Sequence, residues 1–249
     1  MEEYKQKEIE YYDNKAVKYQ AERKGDFEGF NPKSLSSLRF CYNWFEKNCQ
    51  DKKFLDYGCG NGIHSMFPAE CGAEVTGIDL SEKSLEIARK RTNNKIPFLL
   101  MDCEKMNFQD NSFDIVFNGG AFSSLDLNKV FPEVARILKT KGHFIGIETL
   151  GHNFFSNLNR KINKAKGKRT EWEVSHIFKI DDIAKAKMYF NKTEVYFFHL
   201  MSWIFFPVLR FPFGKYLLNV VESIDGLFLK LPFMKKYAFK IVFIFSEPK

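Results

Sequence analysis

The chain has 249 residues, which is enough for one sizeable hydrophobic core with an appended cap. With 45% apolar and 28% charged residues it has the composition of a folded globular protein. The net charge of +7 is mild and does not by itself argue for nucleic acid. No apolar run reaches the ~18 residues of a membrane-spanning helix, and the charged N-terminus lacks the apolar stretch of a signal peptide.

The cysteines predict neither a metal site nor a disulfide framework. There are five of them, and none forms a CxxC pair or stands at metal-ligand spacing from a histidine. An odd number suits a reducing compartment. We therefore expect a cytoplasmic protein without a bound metal.

The first 50 residues predict a helical cap. A helix is expected over residues 5–22, followed by a loop at Gly25 and Gly29. Asn31-Pro32 is typical of a helix start, since proline suits the first helical position. Apolar side chains at helical spacing then predict an amphipathic helix to about Asn48.

Between residues 51 and 150, short apolar runs alternate with helical patterns. Five strands are predicted: Lys53–Tyr57, Glu74–Ile78, Ile96–Met101, Phe113–Asn118 and His143–Glu148. Three helices are predicted: Ile63–Cys71, a helix capped by Ser81 and running through Arg91, and Leu127–Leu138 ended by Lys141-Gly142. This alternation predicts a parallel sheet with helices on both faces, and a ligand site beyond the carboxyl ends of the strands.

After Thr149 the alternation stops. Residues 151–180 are polar and basic, and no regular element is predicted there. The later elements expected are a helix from Asp181 through Phe190, a sixth strand at Glu194–Leu200, an apolar helix at Lys215–Leu229 and a last strand at Ala238–Phe245.

The stretch Lys53–Gly62, KFLDYGCGNG, leads from the first strand into a glycine-rich loop. Glycines at 58, 60 and 62 allow tight turning and close approach of the backbone to a ligand. The dinucleotide fingerprint requires a sixth-position glycine where Ile63 stands. The pattern behind Asp56 therefore favours a ligand whose amino-acid end lies against backbone amides.

Acids end the next two strands. A carboxylate at Asp79 can accept both hydroxyls of a ribose, and Asp102 can accept from the exocyclic amine of a base. Asn118 and Glu148 end the fourth and fifth strands. All four side chains are thus expected at one edge of the sheet.

Five motifs in this order resemble class I S-adenosylmethionine-dependent methyltransferases, in the small-molecule branch with the ubiquinone/menaquinone methyltransferases: FLDYGCGNG, VTGIDLS, MDCEKMNF, FDIVFNGGAFSSL and EVARILKTKGHFIGIE. The resemblance covers roughly residues 50–150. It implies a Rossmann-like α/β fold with a seven-stranded, mostly parallel sheet and an antiparallel last strand. It also implies S-adenosylmethionine as cofactor and S-adenosylhomocysteine as product.

On this resemblance the chain is expected to be one methyltransferase domain, 1–249. Residues 1–50 would form a helical lid, 51–150 the donor-binding core and 151–249 the acceptor side. The implied donor-binding residues are Asp56, Gly58, Gly60, Asn61 and Gly62 at the methionine moiety, Asp79 at the ribose, Leu80, Asp102 and Cys103 at the adenine, and Asn118 near the methyl group. Cys103 is expected to be a small pocket or core residue.

The methyl acceptor is less well defined. Residues 118–121, NGGA, lack the N/D-P-P-Y/F pattern of amino-group methylases and the Pro-Cys of cytosine-C5 methylases. This leaves an oxygen or carbon of a small, apolar or amphipathic molecule. His152 and Glu148 are the candidate bases, with His152 alternatively a loop residue; His176 and His199 are weaker candidates.

Two stretches of the second half bear on partners. Arg160–Arg169 has six basic residues and no acid, and is interpreted as a solvated loop, a binder of an anionic acceptor or a contact for an anionic membrane. The apolar insertion 201–236 is a core element, a pocket wall or a peripheral membrane contact. Nucleic acid is not favoured. The alternatives are an RNA or protein methyltransferase and a non-catalytic donor-binding module.

Overall fold

The computed structural model describes residues 2–21 and 34–249. Its centre is a seven-stranded sheet with the order β3-β2-β1-β4-β5-β7-β6. The strands are β1 Lys53–Tyr57, β2 Glu74–Asp79, β3 Phe98–Leu100, β4 Phe113–Asn118, β5 Leu138–Thr149, β6 Phe190–Phe198 and β7 Lys240–Pro248. β7 pairs antiparallel with β5 and β6, and the other pairs are parallel. The predicted Rossmann-like sheet with an antiparallel last strand is confirmed.

Helices cover both faces of the sheet. The α-helices are α1 Glu3–Ala21, α2 Ser36–Asn48, α3 Met66–Glu70, α4 Glu82–Arg91, α5 Leu127–Ile137, α6 Phe154–Ala165, α7 Glu171–Ser175, α8 Ile180–Ala186, α9 Gly214–Phe228 and α10 Pro232–Lys235. Short 3₁₀ helices lie at Phe122–Ser124 and Ser202–Arg210. No helix in the part of the chain that the structure describes is long and apolar enough to cross a membrane.

Each face of the sheet has its own hydrophobic cluster, because successive side chains of a strand point to opposite faces. On one face Phe54 of β1 packs edge-on against Phe45 of α2, with ring centroids 5.4 Å apart. On the other, Tyr57 of the same strand packs against Phe144 of β5, 6.3 Å away. The two clusters clamp β1, β4 and β5 in the middle of the sheet, so that their carboxyl ends are held in fixed relative positions.

The helices and strands of the first half follow the sequence closely. β1 and β4 have the predicted bounds, and the Ser81 side chain caps α4 by accepting the N–H of Ser84. The α3 helix is shorter than predicted, since residues 58–65 form turns. The predicted helix start at Asn31-Pro32 and the loop at Gly25 and Gly29 lie outside the described residues.

The expected helix stop at Lys141-Gly142 is wrong. α5 ends at Ile137, and β5 begins directly at Leu138. Pairing with β4 jumps from Phe113–Leu138 to Ile115–His143, which leaves a bulge between the two pairs. Lys139 Nζ lies 2.7 Å from Asp114 Oδ2 of β4 and ties this bulge to its neighbouring strand.

The segment after β5 contains helices that composition alone did not indicate. α6 starts at an Asn153 cap that accepts the N–H of Ser156, and α7 starts in a Thr170–Glu173 capping box. The basic stretch 160–169 is therefore not a loop along its whole length, because residues 160–165 belong to α6. β6 covers Phe190–Phe198, whereas the sequence predicted a strand at Glu194–Leu200. The strand ends just before His199, whose backbone φ is positive at 61°.

Candidate active site

The glycine loop after β1 turns through three residues with positive φ: 65° at Gly58, 52° at Gly60 and 71° at Gly62. A Cβ on Gly62 would lie 2.9 Å from Ala88 Cβ, so this glycine allows α4 to pack against the loop. A Cβ on Gly60 would have no heavy atom within 4 Å. The middle of the loop thus presents bare backbone to open space.

Asp79 at the end of β2 joins this loop to the start of α4. Its Oδ2 accepts the N–H of Gly60 at 2.8 Å, and its Oδ1 accepts the N–H of Ser81 at 2.9 Å. Burial raises the pKa of the Asp79 carboxyl, and the backbone donors oppose that shift. An ionised carboxylate has about four acceptor positions, so this one can still accept hydroxyl donors from a ligand.

A cleft of about 840 Å³, including space open to solvent, lies above the loop and is called the donor cleft. Five of the predicted donor-binding residues line it: Gly58, Gly60, Asp79, Leu80 and Cys103. Burial raises the pKa of the Cys103 thiol well above its usual range, which makes it an inert wall residue. Ligand sites of this size class are common for small molecules and cofactors.

The α1 helix closes one side of the donor cleft. Lys5 Nζ lies 2.7 Å from both Asp102 Oδ2 and Glu104 Oε2, beyond the end of β3. Asp13 Oδ1 accepts the Ser81 hydroxyl at 2.6 Å, near the start of α4. The predicted N-terminal helix therefore spans the carboxyl edge of the sheet.

Glu8 of α1 lines the donor cleft and was missed by the sequence interpretation. The residue is buried, and neither carboxylate oxygen has a hydrogen-bond partner. Burial raises the pKa of this carboxyl; Thr170 and Ser124 lie close enough to oppose the shift without meeting hydrogen-bond geometry. A signal for Glu8 was present, because residues 5, 8 and 12 share one face of a helix.

The remaining predicted donor residues do not line the cleft wall. Asp56 is buried beneath the loop, where its Oδ2 accepts the Ser65 hydroxyl at 2.5 Å and burial raises its pKa to about 7. Asn118 is buried and accepts the N–H of Ala121 at 2.8 Å. Asn61 and Gly62 belong to the turn, and Asp102 is held by Lys5. These residues shape the cleft from behind or from its edge.

A second cavity of about 700 Å³ adjoins the first and is called the basic cavity. It is lined by five cationic side chains: Lys15, Arg160, Lys168, Arg169 and Lys240. Tyr12, Gly119 and Gly120 line both cavities and form their boundary. Two ligands bound in the two spaces would thus meet at these three residues.

The two candidate bases are placed differently. Glu148 lines the basic cavity, and its Oε1 accepts Asn118 Nδ2 and the N–H of Phe122, both at 2.8 Å. Burial raises the pKa of the Glu148 carboxyl. His152 lines neither cavity, and its Nε2 accepts the N–H of Ile180 at 3.3 Å.

The two weaker histidine candidates also lie away from both cavities. His199 is buried, with Nε2 2.9 Å from Ser37 Oγ and Nδ1 3.0 Å from Ser202 Oγ. Burial lowers its pKa to about 3, so the ring is neutral. His176 stacks on Trp172 with ring centroids 3.6 Å apart. Among the described ranges, no group of three or more His, Cys, Asp and Glu side chains could hold a metal ion.

Comparison with known proteins identifies the middle of the chain. Residues 55–146, from β1 into β5, match the family model described as a methyltransferase domain. The chain carries a methyltransferase domain. This confirms the resemblance to class I S-adenosylmethionine-dependent methyltransferases of the small-molecule branch.

Relatives of the methyltransferase domain differ in what their names say they act on. The ubiquinone biosynthesis O-methyltransferase of Idiomarina loihiensis is 36% identical over 45% of this chain and 44% of its own length. The sterol 4-C-methyltransferase strm-1 of Caenorhabditis elegans is 32% identical over 43% and 34%. The chain thus spans less than half the length of either curated relative.

Solved structures extend the likeness in fold beyond the methyltransferase domain. The geranyl diphosphate C-methyltransferase of Streptomyces coelicolor A3(2), solved with S-adenosyl-L-homocysteine, matches 84% of this chain and 80% of its own with a TM-score of 0.55. At 14% identity this likeness concerns the fold alone. It extends the shared architecture into the second half of the chain.

The donor cleft fits S-adenosylmethionine by its chemistry. Asp79 offers acceptors for two ribose hydroxyls, and Leu80 offers an apolar side chain for the adenine. The unpartnered Glu8 carboxylate offers a counter-charge to a ligand with a sulfonium and an ammonium group. A glycine loop without Cβ atoms leaves room for the amino-acid end.

Proposed function

We propose that this protein transfers a methyl group from S-adenosylmethionine to an oxygen or carbon atom of a small, amphipathic acceptor. The observation that best supports this proposal is the position of Asp79 at the wall of the donor cleft. Its two carboxylate oxygens accept the N–H groups of Gly60 and Ser81. That arrangement positions acceptors for a nucleoside and bare loop backbone for its amino-acid end.

When bound, the donor supplies a methyl group on a sulfonium, which transfers by in-line displacement. The protein has mainly to align the two reactants and to exclude water. Asp79 and Leu80 hold the nucleoside end, and α1 covers the cleft. The acceptor enters through the basic cavity and presents its reacting atom at the boundary formed by Tyr12, Gly119 and Gly120.

Of the two predicted bases, we favour Glu148 as the residue that touches the acceptor. It lines the basic cavity, whereas His152 lines neither space. The pKa of Glu148 is raised toward neutral pH, which suits a side chain that takes up a proton during the reaction. For a hydroxyl acceptor, Glu148 would take the proton that leaves the oxygen.

Calorimetry with S-adenosylmethionine and S-adenosylhomocysteine tests the donor site. We expect one ligand per chain and micromolar affinity. Absence of binding heat up to low-millimolar ligand would contradict the proposal.

Transfer of a labelled methyl group is then measured with amphipathic small molecules, tRNA and protein as acceptors. Label in tRNA together with salt-dependent binding would instead support the RNA alternative, and donor binding without transfer to any acceptor would support the non-catalytic one.

The second part of the proposal is that residues 201–236 dock on an anionic membrane surface. α9 turns its acids inward: Glu222 Oε1 accepts the N–H of Ser36 at 2.9 Å, and Asp225 Oδ2 accepts the N–H of Ser202 at 2.9 Å. Its apolar side chains turn outward, with Tyr216 75% and Leu227 64% exposed. This is the reverse of the pattern expected for a helix packed only on a protein core.

The charges of this segment favour a bilayer as the occupant. Its only two acids, Glu222 and Asp225, are buried. All its other charges are basic: Arg210, Lys215, Lys230, Lys235 and Lys236. An apolar face with Phe213 85% exposed, surrounded by cations, is the composition that binds the headgroup region of anionic membranes. None of residues 201–236 lines the donor cleft or the basic cavity.

Vesicle sedimentation tests this surface. We expect binding to phosphatidylcholine vesicles that contain phosphatidylserine, weaker binding to phosphatidylcholine alone and partial release by salt, because screening weakens the attraction of the cations. Equal and negligible sedimentation with both vesicle types would contradict membrane docking and leave the donor-site result unaffected.

A further inference from the structure

Five cations from four parts of the fold converge on the basic cavity. Lys15 comes from α1, Arg160 from α6, Lys240 from the first position of β7, and Lys168 and Arg169 from the connection between α6 and α7. Glu148 and Glu173 are the only acids among the lining residues that the structure describes. The lining therefore has a formal excess of three positive charges.

Arg160 is the most informative of these cations. Only 6% of the residue is exposed, yet no hydrogen bond or ion pair joins its guanidinium to another side chain in the described part of the chain. Burial lowers its pKa to about 10, and the neighbouring Arg169 adds to this shift. Burying an unpaired guanidinium is costly unless something else supplies its acceptors.

Lys240 is in the same situation. Burial lowers the pKa of its ammonium group, with Arg160 and Arg169 adding to the effect and Glu148 opposing it. No carboxylate among the described residues lies within the 4.0 Å of an ion pair. Arg160 and Lys240 thus lie side by side in one cavity, without an ion pair to any described carboxylate.

The two acids of the lining are already engaged elsewhere. Glu173 Oε1 accepts the hydroxyl of Tyr12 at 2.7 Å, and its Oε2 accepts the N–H of Thr170 at 3.3 Å. Arg169 Nη1 lies 3.6 Å from the same Oε1. Glu148 accepts Asn118 and Phe122. Among the described residues, Arg160 and Lys240 therefore have no carboxylate as ion-pair partner.

We propose that the basic cavity binds a phosphate or diphosphate group of the methyl acceptor, chiefly through Arg160, Arg169 and Lys240. Guanidinium forks match phosphate oxygens in paired hydrogen bonds, and a dianion satisfies the excess charge better than a single carboxylate. This inference rests on the proposed function, since it names the chemical class of the acceptor for the same site.

The position of the anion site explains how an acceptor is aligned. Because the two cavities share Tyr12, Gly119 and Gly120, a phosphate held by Arg160 leaves the rest of the acceptor facing the donor cleft. Anchoring one end of a reactant converts its approach to the methyl group into a restricted, near-unimolecular step. The phosphate is thus a positioning group and takes no part in the transfer itself.

Titration calorimetry with pyrophosphate on protein saturated with S-adenosylhomocysteine tests the site. We expect saturable binding, weakened about 10- to 100-fold by Arg160→Gln or Lys240→Gln through loss of charge-assisted hydrogen bonds. Lys161→Gln is the matched control, since it removes an exposed cation next to Arg160 on the same helix and should change affinity less than about twofold.

Several outcomes would overturn the inference while leaving the proposed function intact. These are S-adenosylhomocysteine binding without pyrophosphate binding, pyrophosphate that displaces S-adenosylhomocysteine, and equal affinity in Arg160→Gln and wild type. Loss of S-adenosylhomocysteine binding in wild type would instead count against the proposed function. Thermal unfolding checks the variants: Arg160→Gln should be at least as stable as wild type, because it removes an unpaired buried charge.

A second experiment distinguishes a lipid headgroup from a soluble phosphorylated acceptor as the source of the phosphate. Vesicles containing phosphatidic acid are compared with soluble pyrophosphate, using wild type and Arg160→Gln. Vesicle binding that falls in Arg160→Gln supports a lipid headgroup in the cavity. Unchanged vesicle binding with weakened pyrophosphate binding supports a soluble phosphorylated acceptor. Insensitivity of both to Arg160 contradicts the site.

Discussion

Tyr12 donates its hydroxyl hydrogen to Glu173 Oε1 across 2.7 Å, and this bond joins α1 to α7 at the boundary of the two cavities. Glu173 is buried and also closes the capping box of α7. The predicted N-terminal lid and the segment after β5 thus share a partly buried hydrogen bond. It adds to the contacts of Lys5 and Asp13 that hold α1 over the carboxyl edge of the sheet.

Removing that bond should destabilise the lid. Tyr12→Phe leaves a buried carboxylate oxygen with fewer donors, so we expect a loss of about 1–3 kcal/mol in the free energy of unfolding, together with weaker S-adenosylhomocysteine binding. Denaturant unfolding and calorimetry measure the two effects. Tyr11→Phe is the control, because the Tyr11 hydroxyl donates to the Lys168 carbonyl at an exposed position. Equal effects of both variants would contradict a special role for Tyr12.

Asp79 should control donor affinity. In Asp79→Asn one carboxylate oxygen is replaced by an amide donor, so the N–H of Gly60 or of Ser81 loses its acceptor, and the ribose loses an acceptor at the same position. We expect S-adenosylhomocysteine affinity to fall by about 1–3 kcal/mol. Asp110→Asn, at an exposed site near α5, serves as the control and should bind normally. An Asp79→Asn protein that is folded and binds with wild-type affinity would refute the assigned ribose contact.

Asp56 predicts a distinctive pH dependence. Burial, with a smaller contribution from the charge of Asp79, raises its pKa from 3.8 to about 7. Between these values the folded state keeps a proton that the unfolded state loses, so stability falls as the pH rises through this window. Asp56→Asn removes the penalty and retains an acceptor for Ser65. We expect it to gain roughly 2–4 kcal/mol over wild type at pH 8 and little at pH 4.

Asp114→Asn is a control for the same denaturant series, because at pH 8 it should change the free energy of unfolding in the opposite direction. Although burial opposes the shift, the hydrogen bond from Lys139 lowers the pKa of Asp114. A carboxyl with a lowered pKa stabilises the fold above its unfolded value, so this variant should lose stability at pH 8 and recover toward wild type in acid. If both variants shift in the same direction at pH 8, the assignment of Asp56 as a protonated buried acid is wrong.

The docking surface predicts a change in vesicle binding without a change in stability. Phe213→Ser and Phe233→Ser remove side chains that are 85% and 64% exposed, so the fold loses few contacts. Each change should weaken binding to phosphatidylserine-containing vesicles by about 1–2 kcal/mol, roughly half the value of full side-chain burial. Met188→Ser, 61% exposed but outside the segment, is the control. Equal losses in all three variants would contradict a localised docking surface.

The donor half could be predicted from sequence because its signals are local. The strands alternate with helices, and Gly58, Asp79 and Cys103 each follow or end a strand, so the parallel topology alone brings them to one edge. The cap of α4 could be predicted in the same way, because Ser81 stands just before a run of residues with helical periodicity. Each of these features can be recognised from residues that are close together in the sequence.

The basic cavity could not be predicted in this way, because its residues meet only through the tertiary fold. Lys15, Arg160 and Lys240 come from the start, middle and end of the chain, and no spacing links them. Composition also failed over 151–180, where capping by Asn153 and Thr170 allows α6 and α7 to form despite a polar, basic sequence. His152 was singled out by proximity in sequence to β5, yet the turn that follows directs it to the N–H of Ile180.

The second and third glycines of the loop should differ in their tolerance of a methyl group. Both Gly60 and Gly62 have positive φ, so an alanine at either position costs about 1–2 kcal/mol of backbone strain. At Gly62 the new Cβ would also lie 2.9 Å from Ala88 Cβ and 3.0 Å from Phe98 Cζ, adding overpacking of about 1–3 kcal/mol. We therefore expect Gly62→Ala to unfold at the lower denaturant concentration. Gly60→Ala should keep most of its stability but bind S-adenosylhomocysteine more weakly, because its methyl group enters the donor cleft. Equal stability of the two variants would show that α4 does not press against the loop as described.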